Sequence, residues 1–127
     1  MTARILLVED HAMLRHAIAE YLTTFVTAQI IQAANAESAL ELAQSDRPDL
    51  VIMDIVLPRM NGIQATRQLK ETDPSLPVII LTFHDETSHR DGSLEAGAEA
   101  FIPKDSLLTM LIPAVQRSLG LYGPEKL

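Results

Sequence analysis

VIMDIVLPRMNG, residues 51–62, passes from a buried strand into a loop within a few residues, with an acid at the turning point. Val51, Ile52 and Met53 favour a sheet, whereas Pro58, Asn61 and Gly62 favour a turn. Asp54 stands where the strand ends. A carboxylate leaving a hydrophobic core is costly unless a partner meets its charge.

On either side of this stretch, short apolar runs alternate with helical patterns. Arg4-Ile-Leu-Leu-Val8, Gln29-Ile-Ile-Gln-Ala33, Asp49-Leu-Val-Ile-Met53, Pro77-Val-Ile-Ile-Leu81 and Ala100-Phe-Ile102 read as five strands. Leu14, Ile18, Leu22 and Phe25 form one stripe of a helix after the first strand. Asn35 caps a second helix that must stop before Pro48. A third runs from about Gly62 to Glu71, and a last one follows a Ser106 cap to about Leu119. Thr87 to Ala96 is a marginal helix, with Gly92 inside it and Leu94 as its only large apolar residue, and Gly97 stops it. Strands alternating with helices imply right-handed crossovers and a parallel sheet covered on both faces, a three-layer α/β architecture. Pro103 places the fifth strand at an edge.

Ligands of such sheets bind at the carboxyl ends of the strands. Glu9-Asp10 closes the first strand, Asp54 the third and Thr82 the fourth, and the fifth runs into Lys104. Each has a plain explanation: Asp10 as a helix cap, Glu9 as a solvated acid, Thr82 as a strand residue, Lys104 as a surface cation. Together, three carboxylates converging on one edge repel one another and call for a cation. A hard divalent ion such as Mg²⁺ answers that need and leaves positions for phosphate.

Glu9-Asp10, Asp54, Thr82 and Lys104, with Pro58 and Gly62 after the aspartate, resemble the receiver domain of two-component response regulators over residues 4–120. Leu81-Thr-Phe-His-Asp-Glu86 is most similar to the NarL/FixJ-type subfamily. The resemblance implies a doubly wound, flavodoxin-like sheet of order 2-1-3-4-5, with residues 1–120 as the receiver and 121–127 as a tail or the start of a linker. It implies that Asp54 accepts a phosphoryl group from a sensor histidine kinase. Asp10, Asp54 and the backbone carbonyl of Val56 would bind Mg²⁺ directly, and Glu9 through water. Lys104 and Thr82 would bind phosphoryl oxygens. Phe101 is the switch aromatic, expected to turn inward when the loop after the fourth strand moves. His84 is placed to influence how long the phosphorylated state lasts, while His11, His16 and His89 read as solvated.

The implied function is a phosphorylation-controlled switch that promotes only its own phosphoryl transfer and loss, with a transcriptional output expected from this subfamily. The helix-turn-helix output domain of that subfamily is absent from this chain. Phe83 is bulkier than the small residue common after the threonine. Pro113 interrupts the last helix, and seven of the nine residues from Leu107 to Val115 are apolar, more than one stripe needs. That excess suggests a homodimer or a docked output domain on the last helix, or else a deeply buried helix start. Two other enzyme or ligand classes fit poorly. An aspartate-dependent phosphatase wants a second acid two residues after its nucleophile, where Val56 stands. A flavin or nucleotide binder wants a glycine- or hydroxyl-rich loop after the first strand, where Glu9-Asp10-His11-Ala12-Met13 stands. A receiver acting as an unphosphorylated binding module remains a further reading.

Composition sets the outer bounds. The 127 residues carry 17 acids, 10 bases and a net charge of −7, which opposes direct nucleic-acid binding. The absence of cysteine excludes disulfides and thiolate metal sites. No apolar run approaches the roughly 18 residues of a membrane span, so the expected location is cytoplasmic.

Overall fold

The computed structural model describes residues 2–83 and 87–120. His84 and the 121–127 tail therefore lie outside the described residues. The elements alternate as β1 (Ala3–Val8), α1 (Ala12–Phe25), β2 (Ala28–Ala33), α2 (Ala36–Asp46), β3 (Leu50–Met53), α3 (Gly62–Thr72), β4 (Val78–Thr82), α4 (Thr87–Glu95), β5 (Ala100–Pro103) and α5 (Leu107–Ser118). The five strands form one parallel sheet of order β2-β1-β3-β4-β5. The expected fold and order are both present, and β5 lies at an edge, where Pro103 gives up no interior ladder bond.

Alternation along the strands divides the core into two. Leu6, Val8, Val51, Met53, Val78 and Ile80 face α2 and α3, with Ala36, Ala39, Ala65 and Leu69 filling the gap. Ile5, Leu7, Leu50, Ile52, Ile79 and Leu81 face α1 and α5, meeting Ile18, Leu22, Leu111 and Val115. Small alanines let α2 approach the sheet closely, whereas the opposite layer uses larger side chains. β3 and β4 are buried throughout, as their unbroken apolar runs require. β2, at the other edge, is only half-buried.

Of the caps, the one at Asn35 follows the sequence, those of α1 and α3 were not anticipated, and the one expected at Ser106 is missing. Asn35 accepts from the Ser38 N–H at 2.8 Å, as expected. Asn61 and Gln64 cap α3 reciprocally, at 2.9 and 3.0 Å. His11 is exposed, as expected, and also caps α1, which was not anticipated: its Nδ1 accepts from the Leu14 N–H at 3.2 Å. An imidazole nitrogen replaces the usual carboxylate or hydroxyl oxygen there. Ser106 makes no side-chain cap, because Lys104–Ser106 form a 3₁₀ turn leading directly into α5. His16 is exposed as expected, whereas His89 is half-buried. α4 does form, anchored by the fully buried Ser93, whose hydroxyl donates to the His89 carbonyl at 2.7 Å. Gly97 ends α4 with φ 109°, a left-handed conformation.

α5 continues unbroken through Pro113. Leu111, Ala114 and Val115 are buried, and Leu107 and Ile112 pack at the core's edge. Five of the seven apolar residues are thus accounted for by this fold, while Leu108 and Met110 are exposed. The proline has no N–H for the Thr109 carbonyl and sits in solvent, so packing of its neighbours must offset a penalty of about 3 kcal/mol. Pro113→Ala is expected to stabilise the domain by about 1–3 kcal/mol, read as a raised urea midpoint at unchanged m-value. An unchanged midpoint would mean the helix already relieves the strain.

Candidate functional site

The register brings the polar residues together. Val8 pairs with Met53, so Glu9 and Asp54 leave the sheet side by side, one step beyond that pair. The Asp54 N–H extends the ladder to the Val8 carbonyl at 3.1 Å, and the Glu9 N–H bonds the Ala33 carbonyl at 3.0 Å. On the far side Thr82 pairs with Pro103, which delivers Lys104 to the same edge.

Glu9, Asp54 and Lys104 are 3%, 6% and 8% exposed. Lys104 Nζ donates to Glu9 Oε1 at 2.6 Å and to Asp54 Oδ2 at 3.2 Å. The other oxygens are also held. Glu9 Oε2 accepts from the His11 N–H at 3.1 Å, and Asp54 Oδ1 from the Ile55 N–H at 2.8 Å. One ammonium therefore bridges two buried carboxylates whose orientation the backbone fixes. Removing the ammonium would leave both acids without their buried cation, a loss that typically costs about 3–5 kcal/mol, whereas loss of one acid leaves Lys104 paired with the other.

Asp10 is exposed and completes the acid group. Among the described residues, Glu9, Asp10 and Asp54 offer ligand oxygens that all lie within 4.8 Å of one another. Three carboxylates at that spacing, with the exposed Asp10 among them, suit a hard divalent cation that keeps part of its water, and the residues fit Mg²⁺ by this chemistry. Thr82 is fully buried at the end of β4, and Val56 turns its side chain to solvent in the loop after Asp54. The hollows of about 490 Å³ beside α3 lie elsewhere, lined by residues such as Arg59 and Gln64, or Leu40 and Thr72. The chemistry thus occupies the rim of the sheet at the strands' carboxyl ends.

Three features were hidden in the sequence. Gly62 approaches the backbone of Asp54 so closely that a Cβ would lie 1.9 Å from the Asp54 carbonyl oxygen. Its N–H bonds the Ile55 carbonyl at 2.8 Å, so the glycine fits the loop under the aspartate, and only a residue without a side chain can do so. Arg15 ties down the neighbouring loop, donating from Nη1 to the Glu9 carbonyl at 2.7 Å and from Nε to Gln32 at 3.0 Å. Phe101 is already buried against the core, at 6% exposure, with the Arg90 guanidinium 4.9 Å from its ring centroid.

Comparison with known proteins places this arrangement. Residues 5–116 match the family model of the response regulator receiver domain. The response regulator MprA of Mycolicibacterium vanbaalenii is 35% identical over 125 residues, covering 98% of this chain and 54% of that protein. The chain thus spans about half the length of the curated relatives it matches. A two-component response regulator of the LuxR family from Aurantimonas sp. superposes with TM-score 0.89 at 33% identity, covering 94% of this chain and 86% of that one. The receiver domain of the sensor histidine kinase PA1611 from Pseudomonas aeruginosa, solved with a magnesium ion coordinated in its active-site cleft, gives TM-score 0.85 at 28% identity. That match covers 94% of this chain and 99% of the other.

Burial raises the pKa of Glu9 above the ordinary glutamate value, and the Asp54 charge adds to the shift, while Lys104 and the His11 N–H oppose it. A raised acid binds its proton more tightly in the folded state. Its stabilising contribution is present below the unfolded pKa and is lost as pH rises through the folded one. In chelator, Glu9→Gln is therefore expected to be more stable than the native chain at pH 7. The gap should close as pH falls through the raised glutamate range. Thermal melts across pH 4–7 check this, and a gap that widens toward low pH would contradict it.

Proposed function

The chain belongs to the response-regulator receiver family, and from that premise we propose that Asp54 accepts a phosphoryl group from the phosphohistidine of a sensor histidine kinase. An Asp54 carboxylate oxygen attacks phosphorus. The O–P bond forms as the N–P bond breaks, and the electron pair stays on the departing imidazole, which takes up a proton. Such a transfer needs positioning and charge neutralisation more than covalent assistance. The observation that carries the reading is Asp54 held between the Ile55 N–H and the Lys104 ammonium, beside Glu9 and Asp10.

Asp10, Asp54 and the Val56 carbonyl would hold Mg²⁺, with Glu9 acting through water. The ion would neutralise charge on the phosphoryl oxygens. Support comes from the acid group and from the magnesium-containing cleft of the similar Pseudomonas receiver. Lys104 exchanges a carboxylate partner for a phosphoryl oxygen. The Thr82 hydroxyl binds another and draws the loop after β4 inward. The Phe101 ring is already inside in this state, so the part left to move is α4, through Arg90. This is a change of packing driven by a local charge event.

On this reading the domain turns over no separate substrate and limits itself to its own phosphorylation and dephosphorylation. Residues 1–120 are the receiver, and 121–127 begin a linker to a helix-turn-helix output domain that controls transcription in the cytoplasm. The LuxR-family neighbour and the 54% coverage of relatives support that extension. Among the described residues no helix is long and apolar enough to cross a membrane. Exposed Leu108 and Met110 support dimerisation through α5.

Incubation with Mg²⁺ and acetyl phosphate is expected to add one phosphoryl mass to the native chain, and none after Asp54→Ala or with chelator. Sedimentation of the same samples should shift toward dimer. An adduct that survives Asp54→Ala, or multiple turnover of an unrelated phosphoester, would overturn the proposal.

A further inference from the structure

Phe83 is a large apolar residue left 65% exposed, although burying it would gain roughly 2 kcal/mol. Its ring is not idle. The face lies 4.8 Å from Lys104 Nζ, within the range of a cation–π contact. The Thr82–Pro103 pair is the last of the β4–β5 ladder, so residues 83 and 104 emerge next to each other. Lys104 gives Nζ hydrogens to Glu9 and Asp54 on one side, and the ring covers another. The side chain is only 5% exposed as a result.

We propose that Phe83 is a positioning residue for phosphoryl transfer, its ring face keeping the Lys104 ammonium over Asp54. The proposal rests on the reading of Asp54 as phosphoacceptor. During transfer Lys104 trades a carboxylate for a phosphoryl oxygen, so either hydrogen bond to an acid can break. Attraction to a ring face uses no particular N–H and depends weakly on rotation of the ammonium. It persists through the exchange and prevents the long side chain from swinging into water. A leucine covers the same ground without the quadrupole, and a tyrosine retains it.

The test compares the native chain with Phe83→Leu and Phe83→Tyr. Lys104 is one of three lysines, so its Cε proton signals are readily assigned by NMR. In the Mg²⁺-free, unphosphorylated protein they should lie upfield of those of Lys70 and Lys126 through the ring current. The displacement should vanish in Phe83→Leu and remain in Phe83→Tyr. The rate of phosphorylation by acetyl phosphate should fall about three- to tenfold in Phe83→Leu and recover in Phe83→Tyr. Native-like rates in both variants, with the native chain phosphorylating normally, would overturn the role of Phe83 alone. Absence of any adduct on the native chain would instead sink the Asp54 reading and the proposal with it.

Discussion

The structure turns on one ammonium held between two buried carboxylates. Glu9 and Asp54 are adjacent because β1 and β3 are parallel and in register, and a backbone N–H holds one oxygen of each carboxylate in place. Lys104 balances one of their two charges. With Asp10 nearby, the rim remains net negative. An acid cluster at the end of a parallel sheet that one ammonium only partly balances favours a further cation, and on the proposed reading it then offers an oxygen to phosphorus. The stability given up there is supplied by the two apolar layers on either side.

Much of this was legible in the sequence, and for a physical reason. Unbroken apolar runs identify strands buried on both faces, and a polar residue ending such a run can only lie at the sheet's edge. Asp54, Glu9, Asp10, Thr82 and Lys104 were found by that rule, and the family resemblance then gave the strand order that periodicity leaves open. What remained illegible depends on distance through space. The Lys104–Glu9 bond joins residues 95 apart, and nothing in either local pattern announces it. Gly62 could be recognised as a family position but not as a residue pressed against the Asp54 carbonyl. His11 is exposed, as read, but its capping of α1 was missed because histidine is not a usual cap, and α4 looked marginal because its anchor is a buried serine rather than a leucine.

The hollows beside α3 carry charged residues such as Arg59, whose 3.4 Å contact with Glu37 lies largely in solvent, whereas Glu9, Asp54 and Lys104 are buried. A carboxylate that receives a phosphoryl group from a partner protein needs an open rim, because the donor arrives on a macromolecule. On the proposed reading the held acids set where phosphorus is captured, and α4 is the element that responds, through Arg90 against the buried Phe101 ring.

The most direct test is calorimetric titration of Mg²⁺ into the native chain, Lys104→Met and Asp54→Asn. If the ammonium occupies ground that a divalent ion needs, Lys104→Met binds Mg²⁺ several-fold more tightly than the native chain, and Asp54→Asn loses most of the binding. Undiminished affinity in Asp54→Asn, or weaker binding in Lys104→Met, would show that these acids do not share one cation and would contradict the account.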